Sequence, residues 1–296
     1  MDETDMADDP SRSGGKPSGI LHLVATPIGN ARDISLRALD VLGTADILAA
    51  EDTRNTRKLL DIHGVKREAR SFWPYHDHNG ARQRPQILAA LAEGKSVALV
   101  SDAGTPVVSD PGYPLVRAAI EAGYDVVAVP GASALLSALC IAGLPTDRFL
   151  FAGFLPSKSG ARRRELAELA PVPSSLVFYE SPHRLAASLA EMCAVLGGDR
   201  EAAVCRELTK RFEEARRGTL DELAAQYANA PDPKGEIVVV VGPPLAREIT
   251  EADIDTRLLA ALEAGSLKDA ASSVATELGL PRKQVYARAL ELASAK

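Results

Sequence analysis
The sequence predicts an α/β protein built on a largely parallel sheet, and three observations carry that prediction. Apolar runs of strand length alternate with helix-like segments from residue 19 onward. Nearly every run ends in a turn of small residues, rich in Gly, Pro, Asn and Asp. The last fifty or so residues abandon that alternation for helical periodicity alone. With 296 residues, the chain is long enough for two domains that each bury a core.

The elements follow in order. "GILHLVATPIGN" is a strand running into a Pro/Gly/Asn turn. "ISLRALDVLG" is a helix, with Asp33 placed to cap it and Gly43 to stop it. "ADILAA" is a second strand, ending in the polar run "EDTRNTRK". "HDHNGARQRPQILAALAEG" holds a helix closed by Gly94, and "SVALV" is a strand that enters the twelve-residue loop "SDAGTPVVSDPG". In "YPLVRAAIEAG", Pro114 sits near a helix start and Gly123 just past its end. "DVVAVPGASALLSALCIAGLP" reads as strand, tight turn and helix, stopped by Gly143 and Pro145. A second unit begins near "DRFLFAGFLP". There "SSLVFYESPHR", "REAAVCRELTK" and "GEIVVVVGPP" add strands, separated by the helices "RLAASLAEMCAVLG" and "TLDELAAQYA".

The expected organisation is therefore a tail over 1–18, an α/β domain over 19–145, a second α/β domain over 146–245 and a helical extension over 246–296. In the extension, Leu267, Ala270, Ala271, Val274 and Leu278 share one helical face. Gly279 ends that helix, Pro281 opens the next, and Val285, Ala289 and Leu292 form its inner face. The pair resembles a helix-turn-helix. Packing on the body, a dimer contact and nucleic-acid contact all fit it.

Apolar residues at 46% and charged residues at 25% describe an ordinary soluble globular composition. The tail is acidic and then Ser/Gly/Pro-rich, without the apolar core of a secretion signal, so it is expected to be disordered and the protein cytoplasmic. Half of the net charge of −6 lies in that tail, and acidity of this size does not argue against an anionic partner. No apolar run approaches the ~18 residues of a membrane span. Cys140, Cys193 and Cys205 form no CxxC pair and read as reduced and packed, with no metal.

Four strand ends carry small-residue turns: "TPIGN" (26–30), "SDAGTP" (101–106), "VPGAS" (129–133) and "YESPHR" (179–184). In a parallel sheet such turns gather on one rim, where ligands bind. Glycine admits close backbone approach and proline fixes direction, so the rim would hold a ligand mainly through main-chain groups. The chain has no G-x-G-x-x-G, no G-x-x-x-x-G-K-[ST] and no G-x-S-x-G, which removes the dinucleotide fingerprint, the P-loop and the nucleophile elbow. The loop over 101–112, with Asp102 and Asp110, fits a ligand-binding loop or a long connection at a sheet edge.

His76 and His78 flank an Asp in "HDHN"; two residues apart they make a poor zinc pair, and a substrate-ordering loop fits better. Glu51 and Asp52 are acid/base candidates, although Arg54, Arg57 and Lys58 make a solvated ion-pair cluster the default. "KSGARRR" places Lys158, Arg162, Arg163 and Arg164 together with no acid among them, close to the expected cleft. Such a run suits a phosphate backbone or an ordinary solvated face. Without interleaved aromatics, and with Trp73 far off in sequence, base stacking is not expected.

"TPIGN", "AAEDTRNTRKLL", "HDHN", "LVSDAGTPVVSDPGYPLVRAA", "VPGASA", "AGLPTDRFLFAGFLPSKSGARRRE", "FYESPHRL", "RELTK" and "GEIVVVVG" occur in that order. From about residue 20 to the C-terminus this ordered set closely resembles the ribosomal RNA small subunit methyltransferase I family, within the tetrapyrrole-methylase-like superfamily. The resemblance implies a two-domain tetrapyrrole-methylase-like fold, with a parallel-sheet N-terminal domain and a mixed-sheet second domain. It implies S-adenosyl-L-methionine bound between the domains, a homodimer, and methyl transfer to the 2′-hydroxyl of a cytidine in 16S rRNA near the decoding centre. It assigns the cofactor to Pro27, to Asp102, Gly104, Thr105 and Ser109, and to Pro130, Gly131, Ala132 and Ser133. An aspartate near a sulfonium and an ammonium is favourable on charge. For the ribose proton, Glu180 is the first candidate, with Arg184 as its orienter or a phosphate contact, and His76 the second. A structural Glu180–Arg184 ion pair fits equally well. A same-fold methylase of a small tetrapyrrole-like substrate and a non-catalytic ribosome-assembly factor are the alternatives. The basic run and the helical extension weigh against the first, and the small-residue rim against the second.

Overall fold
The computed structural model describes residues 19–109, 112–245 and 250–294; the acidic tail and Asp110 lie outside them. The chain divides into two compact units, with the division between Pro244 and Leu245.

In the larger unit, β1 (Ile20–Val24), β2 (Ile47–Ala50), β3 (Phe72–Pro74), β4 (Val97–Val100) and β5 (Asp125–Val129) form a sheet of order β3-β2-β4-β1-β5, parallel at every pairing. Both β2 and β4 are buried along their whole length, as strands covered on both faces must be. The covering and connecting helices are α1 (Leu36–Thr44), α2 (Thr53–Ile62), α3 (Gly80–Ala92) and α4 (Tyr113–Glu121). They bury two apolar clusters, one around Leu21, Ile87 and Leu115 and one around Leu42, Leu48 and Leu60. Because the strands are parallel, the loops after β1, β2, β3, β4 and β5 leave from the same edge.

The second sheet has the order β6-β7-β10-β8-β9, from β6 (Phe149–Phe154), β7 (Ser175–Glu180), β8 (Glu201–Arg206), β9 (Glu214–Thr219) and β10 (Ile237–Val241). Only β6–β7 is parallel; the other pairs are antiparallel, which makes the sheet mixed. Helices α6 (Ser159–Leu169), α7 (Leu185–Leu196) and α8 (Leu220–Ala228) accompany it, and one face is buried around Phe178, Leu189 and Val239. The other face takes α5 (Ala134–Ala142), whose Ala138 and Leu139 pack with Val177, Cys205 and Val240. The helix that follows the last strand of the first sheet thus closes the core of the second.

The smaller unit holds α9 (Glu251–Ala264), α10 (Leu267–Leu278) and α11 (Arg282–Ser294). Ala270, Ala271, Val274, Val285 and Ala289 are buried there with Ile254 and Leu258. The turn between α10 and α11 is made by Gly279 in the left-handed region (φ 64°).

Three local readings change. Ser35, not Asp33, caps α1: its hydroxyl accepts the Ala38 N–H at 3.1 Å, while Asp33 closes a short 3₁₀ turn. The polar run after β2 is the start of a helix, since the Asp52 carboxylate takes the Arg54 N–H at 2.8 Å as a cap. Cys140 is exposed and not packed, whereas Cys205 is buried.

Candidate functional site
Three of the small-residue turns are stitched together at the rim of the parallel sheet. Thr26 and Gly104 exchange both backbone hydrogen bonds, at 2.9 and 3.0 Å. The Thr26 hydroxyl donates to the Ser101 carbonyl at 3.1 Å, and the Ser101 hydroxyl to the Gly104 carbonyl at 2.9 Å. Thr105 then donates its hydroxyl to the Ala132 carbonyl at 3.2 Å. The turns after β1, β4 and β5 therefore form one continuous backbone surface. Val107 and Ser109 both hold positive φ (76° and 57°), strained for non-glycine residues and most of all for a β-branched valine.

Facing this surface is the rim of the second sheet, and between them runs a crevice of about 410 Å³, within the usual range for ligand sites. Asp102, Gly104, Thr105, Ser109 and Ser133 line one wall; Phe154, Tyr179, Ser181 and Pro182 are on the other. Of the remaining cofactor candidates, Pro27 precedes Ile28, which lines the crevice, and Ala132 is tied in through Thr105. Pro130 and Gly131 are exposed and do not line the crevice, and a Cβ on Gly131 would stand 3.0 Å from Ala25 Cβ.

A connection that sequence reasoning passed over joins the walls. In "RELTK", Glu207 and Thr209 take positive φ (52° and 65°). The Thr209 hydroxyl accepts the Asn30 N–H at 3.2 Å, and Lys210 bridges Glu207 at 2.8 Å and Glu236 at 3.0 Å. The Lys210 stem lies so close to Gly29 that a Cβ there would stand 2.4 Å from Lys210 Cγ. Any larger residue there would force the Lys210 and Thr209 side chains to shift.

The Asp102 carboxylate is held from the turn after β2: it accepts the Asp52 N–H and the Asn55 side-chain amide, each at 3.0 Å. Beside it lies Glu51. Partial burial and the Asp102 charge push the Glu51 carboxyl above its ordinary range, with Asp77 adding to the effect and His76 opposing it. His76 completes this cluster and has a buried Nδ1 with no hydrogen-bond partner among the described residues. Asp52 instead forms an exposed pair with Arg54 at 2.6 Å, which holds its carboxyl down to about 2.

Three further candidates, Glu180, Arg184 and Arg162, are held in ion pairs. Glu180 is almost wholly buried; its carboxylate accepts the Ser181 N–H at 2.8 Å and the Ser188 hydroxyl, and pairs with Arg184 at 3.4 Å. Arg184 in turn donates to the carbonyls of Leu155 and Pro156. Both brace the turn around 180–188, and Glu180 also lines the crevice. Arg162 is a correction: its side chain is 6% exposed and ion-paired with Glu191 at 2.7 Å, beneath the carbonyls of Pro156 and Ser157. The reason is helical spacing, which turns Arg162 inward with Leu166 while Lys158, Arg163 and Arg164 stay exposed.

Aromatic side chains, which sequence reasoning did not expect, stand on the second wall. Phe151, Tyr179 and Phe154 form a row with edge-to-face contacts at 4.8 and 5.6 Å between centroids. No three His, Cys, Asp or Glu side chains are grouped as a metal site among the described residues, and no helix among them is long and apolar enough to cross a membrane.

Comparison with known proteins places this geometry. The profile of the Tetrapyrrole (Corrin/Porphyrin) Methylases matches residues 20–224, and that of the RsmI C-terminal HTH domain matches residues 248–293. A Ribosomal RNA small subunit methyltransferase I from Mesorhizobium japonicum is 55% identical, over 92% of this chain and 92% of its own. The protein of the same name from Escherichia coli O157:H7 is 45% identical, over 95% and 98%. Among solved structures, the cobalt precorrin-4 methyltransferase shares the fold at TM-score 0.56 and 18% identity, covering 75% of this chain and 94% of that one. A uroporphyrin-III C-methyltransferase from Thermus thermophilus, complexed with S-adenosylhomocysteine, does so at 0.52 and 21%, over 75% and 97%. With the backbone-lined crevice in place and the match running through both units, the chain belongs to the ribosomal RNA small subunit methyltransferase I family, whose members use S-adenosylmethionine.

Proposed function
We propose that the chain methylates the ribose 2′-hydroxyl of a cytidine in 16S rRNA near the decoding centre, working in the cytoplasm as a homodimer. The observation that carries the reading is the crevice itself: a wall of stitched backbone turns faces a wall that continues into exposed cations.

The residues present suit S-adenosylmethionine. The turns at Gly104 and Ser133 admit close approach to the backbone, Thr105 and Ser109 add hydroxyls, and Asp102 supplies a carboxylate already oriented by Asn55. Bound there, the cofactor supplies a transferable methyl group. This chain's own residues supply position and a place for the proton. Alignment of a ribose oxygen with its target about 3 Å away contributes several kcal/mol without covalent work by the protein. For the proton we assign Glu51, beside the crevice-lining Asp102: Glu180 also lines the crevice but is committed to Ser181, Ser188 and Arg184, whereas burial and the Asp102 charge raise the Glu51 carboxyl and make it a stronger base than an ordinary glutamate. His76 flanks it. Lys158, Arg163 and Arg164 would hold the RNA backbone.

The test uses labelled S-adenosylmethionine and small subunits from a strain lacking the modification. Label on cytidine ribose is the expected result, and cofactor binding with no label on RNA would overturn the reading. In the same assay Glu51→Gln should lower the rate ~10²-fold or more and abolish the acid limb of its pH profile. An unchanged limb would clear Glu51 of the role.

A further inference from the structure
We propose that Phe154 is a stacking platform for an unpaired nucleobase of the RNA substrate, an inference that rests on the methyltransferase reading above. In a regular strand, residues three apart point to opposite faces. Phe151 and Phe154 nevertheless share a face, because β6 carries a bulge. Phe151 pairs in register with Val177, Gly153 with Phe178, and Phe154 with Tyr179, so one residue is inserted between them. Gly153 takes the left-handed conformation that the bulge needs (φ 66°), and a Cβ on it would stand 3.4 Å from Ser109 Oγ of the cofactor-side loop. Bulges beside active sites re-aim side chains. This one brings Phe154 to the crevice, where it lines the wall and is still 56% exposed.

Exposed apolar side chains are common on this protein, but Phe154 combines exposure with a place on the crevice wall and aromatic support. Tyr179 supports it edge-to-face from within the sheet, and Phe151 supports Tyr179 in turn. The segment that follows is braced: Arg184 holds the Leu155 and Pro156 carbonyls, and Arg162 reaches those of Pro156 and Ser157. A ring presented rigidly, with its neighbours fixed, loses little entropy on receiving a flat partner.

The occupant follows from what surrounds the ring. The exposed cations Lys158, Arg163 and Arg164 begin four residues later, and phosphates are what such groups bind without regard to sequence. An aromatic face beside a phosphate track and a methyl-donor crevice fits an unstacked base of a single-stranded segment, the form in which proteins read RNA loops and bulges. The bland alternative, an apolar filler, predicts that any apolar side chain would serve.

The experiment compares Phe154→Ala, Phe154→Leu and Phe154→Trp with the unsubstituted protein. It measures methyl transfer to unmodified small subunits at limiting RNA, and binding of S-adenosylhomocysteine by calorimetry. Base–aromatic stacking predicts a loss of roughly 5- to 150-fold in kcat/KM for Ala and a comparable loss for Leu. Trp should keep near-full activity, and cofactor affinity should stay within about twofold throughout. Full activity in the Ala variant, or rescue by Leu as good as by Trp, overturns the proposal. A fluorescent cytidine analogue at the target position gives a second readout, quenched on binding to the unsubstituted protein and not to Phe154→Ala; equal quenching by both also overturns it. Absence of transfer by the unsubstituted protein would instead overturn the methyltransferase reading on which the platform rests.

Discussion
The two walls of the crevice are made in different ways. The wall from the parallel sheet is backbone: Thr26, Gly104 and Ala132 are tied through carbonyls, N–H groups and short hydroxyls, with few long side chains. The wall from the mixed sheet is side chain: Phe154, Tyr179 and Glu180 line the crevice, while Arg162 and Arg184 brace the adjoining segment. A small donor molecule needs close approach and fixed dipoles, which backbone turns provide. A large RNA needs reach, flat surfaces and charge, which side chains provide.

The sharpest test of this division contrasts adjacent arginines on one helix. Arg162→Ala removes a nearly buried side chain with its ion pair to the half-buried Glu191 and its contacts to the Pro156 and Ser157 carbonyls, so stability should fall by about 1–3 kcal/mol in urea or thermal unfolding. Arg163 and Arg164 are exposed, and their double alanine variant should leave stability within ~0.5 kcal/mol. It should instead flatten the dependence of RNA affinity on salt, by about 1–2 in log–log slope. A stable Arg162→Ala protein with a flattened slope would place that residue on the RNA side after all.

A smaller effect is expected at Gly153. An alanine there must hold a left-handed backbone, at about 1–2 kcal/mol, or else remove the bulge. In either case the aim of Phe154 changes, so methyl transfer should drop more than stability does, with cofactor affinity retained. Equal losses in transfer and in cofactor affinity would show that the walls are not separable.

Legibility in the sequence follows the same division. Backbone turns announce themselves, because the Gly, Pro and Ser that make them are also the signal: "SDAGTP", "VPGAS" and "TPIGN" could be placed on one rim before any coordinates. Side-chain arrangements depend on register. Phe154 and Tyr179 are 25 residues apart, and nothing in "FLFAGF" beyond its glycine hints at the bulge that joins them. The inward turn of Arg162 required reading "SGARRRELAEL" as a helix, where Leu166 four residues on marks the buried face. Glu51 hid among its charged neighbours, since the exposed Asp52–Arg54 pair suits the surface reading of the whole run. The contact of Lys210 with Gly29 joins residues 181 positions apart and has no local signature.

The smallest expected effect is on stability, at Glu51 beside Asp102. Burial and Asp102 raise its carboxyl affinity in the folded state. The folded protein therefore keeps this proton at a pH where the unfolded chain has already lost it, and stability falls as pH rises through that interval. The penalty starts above the ordinary glutamate range, grows until the raised value is passed, and stays constant beyond it. Glu51→Gln removes it. The variant should be slightly more stable than the parent at neutral pH, and the advantage should vanish in acid below the ordinary range, as read by unfolding across a pH series. The opposite sign would mean that Glu51 is held as a stabilising anion, and the cluster around Asp102 would then be a scaffold for the turn and not a poised base. A gain in stability with a loss of rate is what a residue kept for chemistry should give.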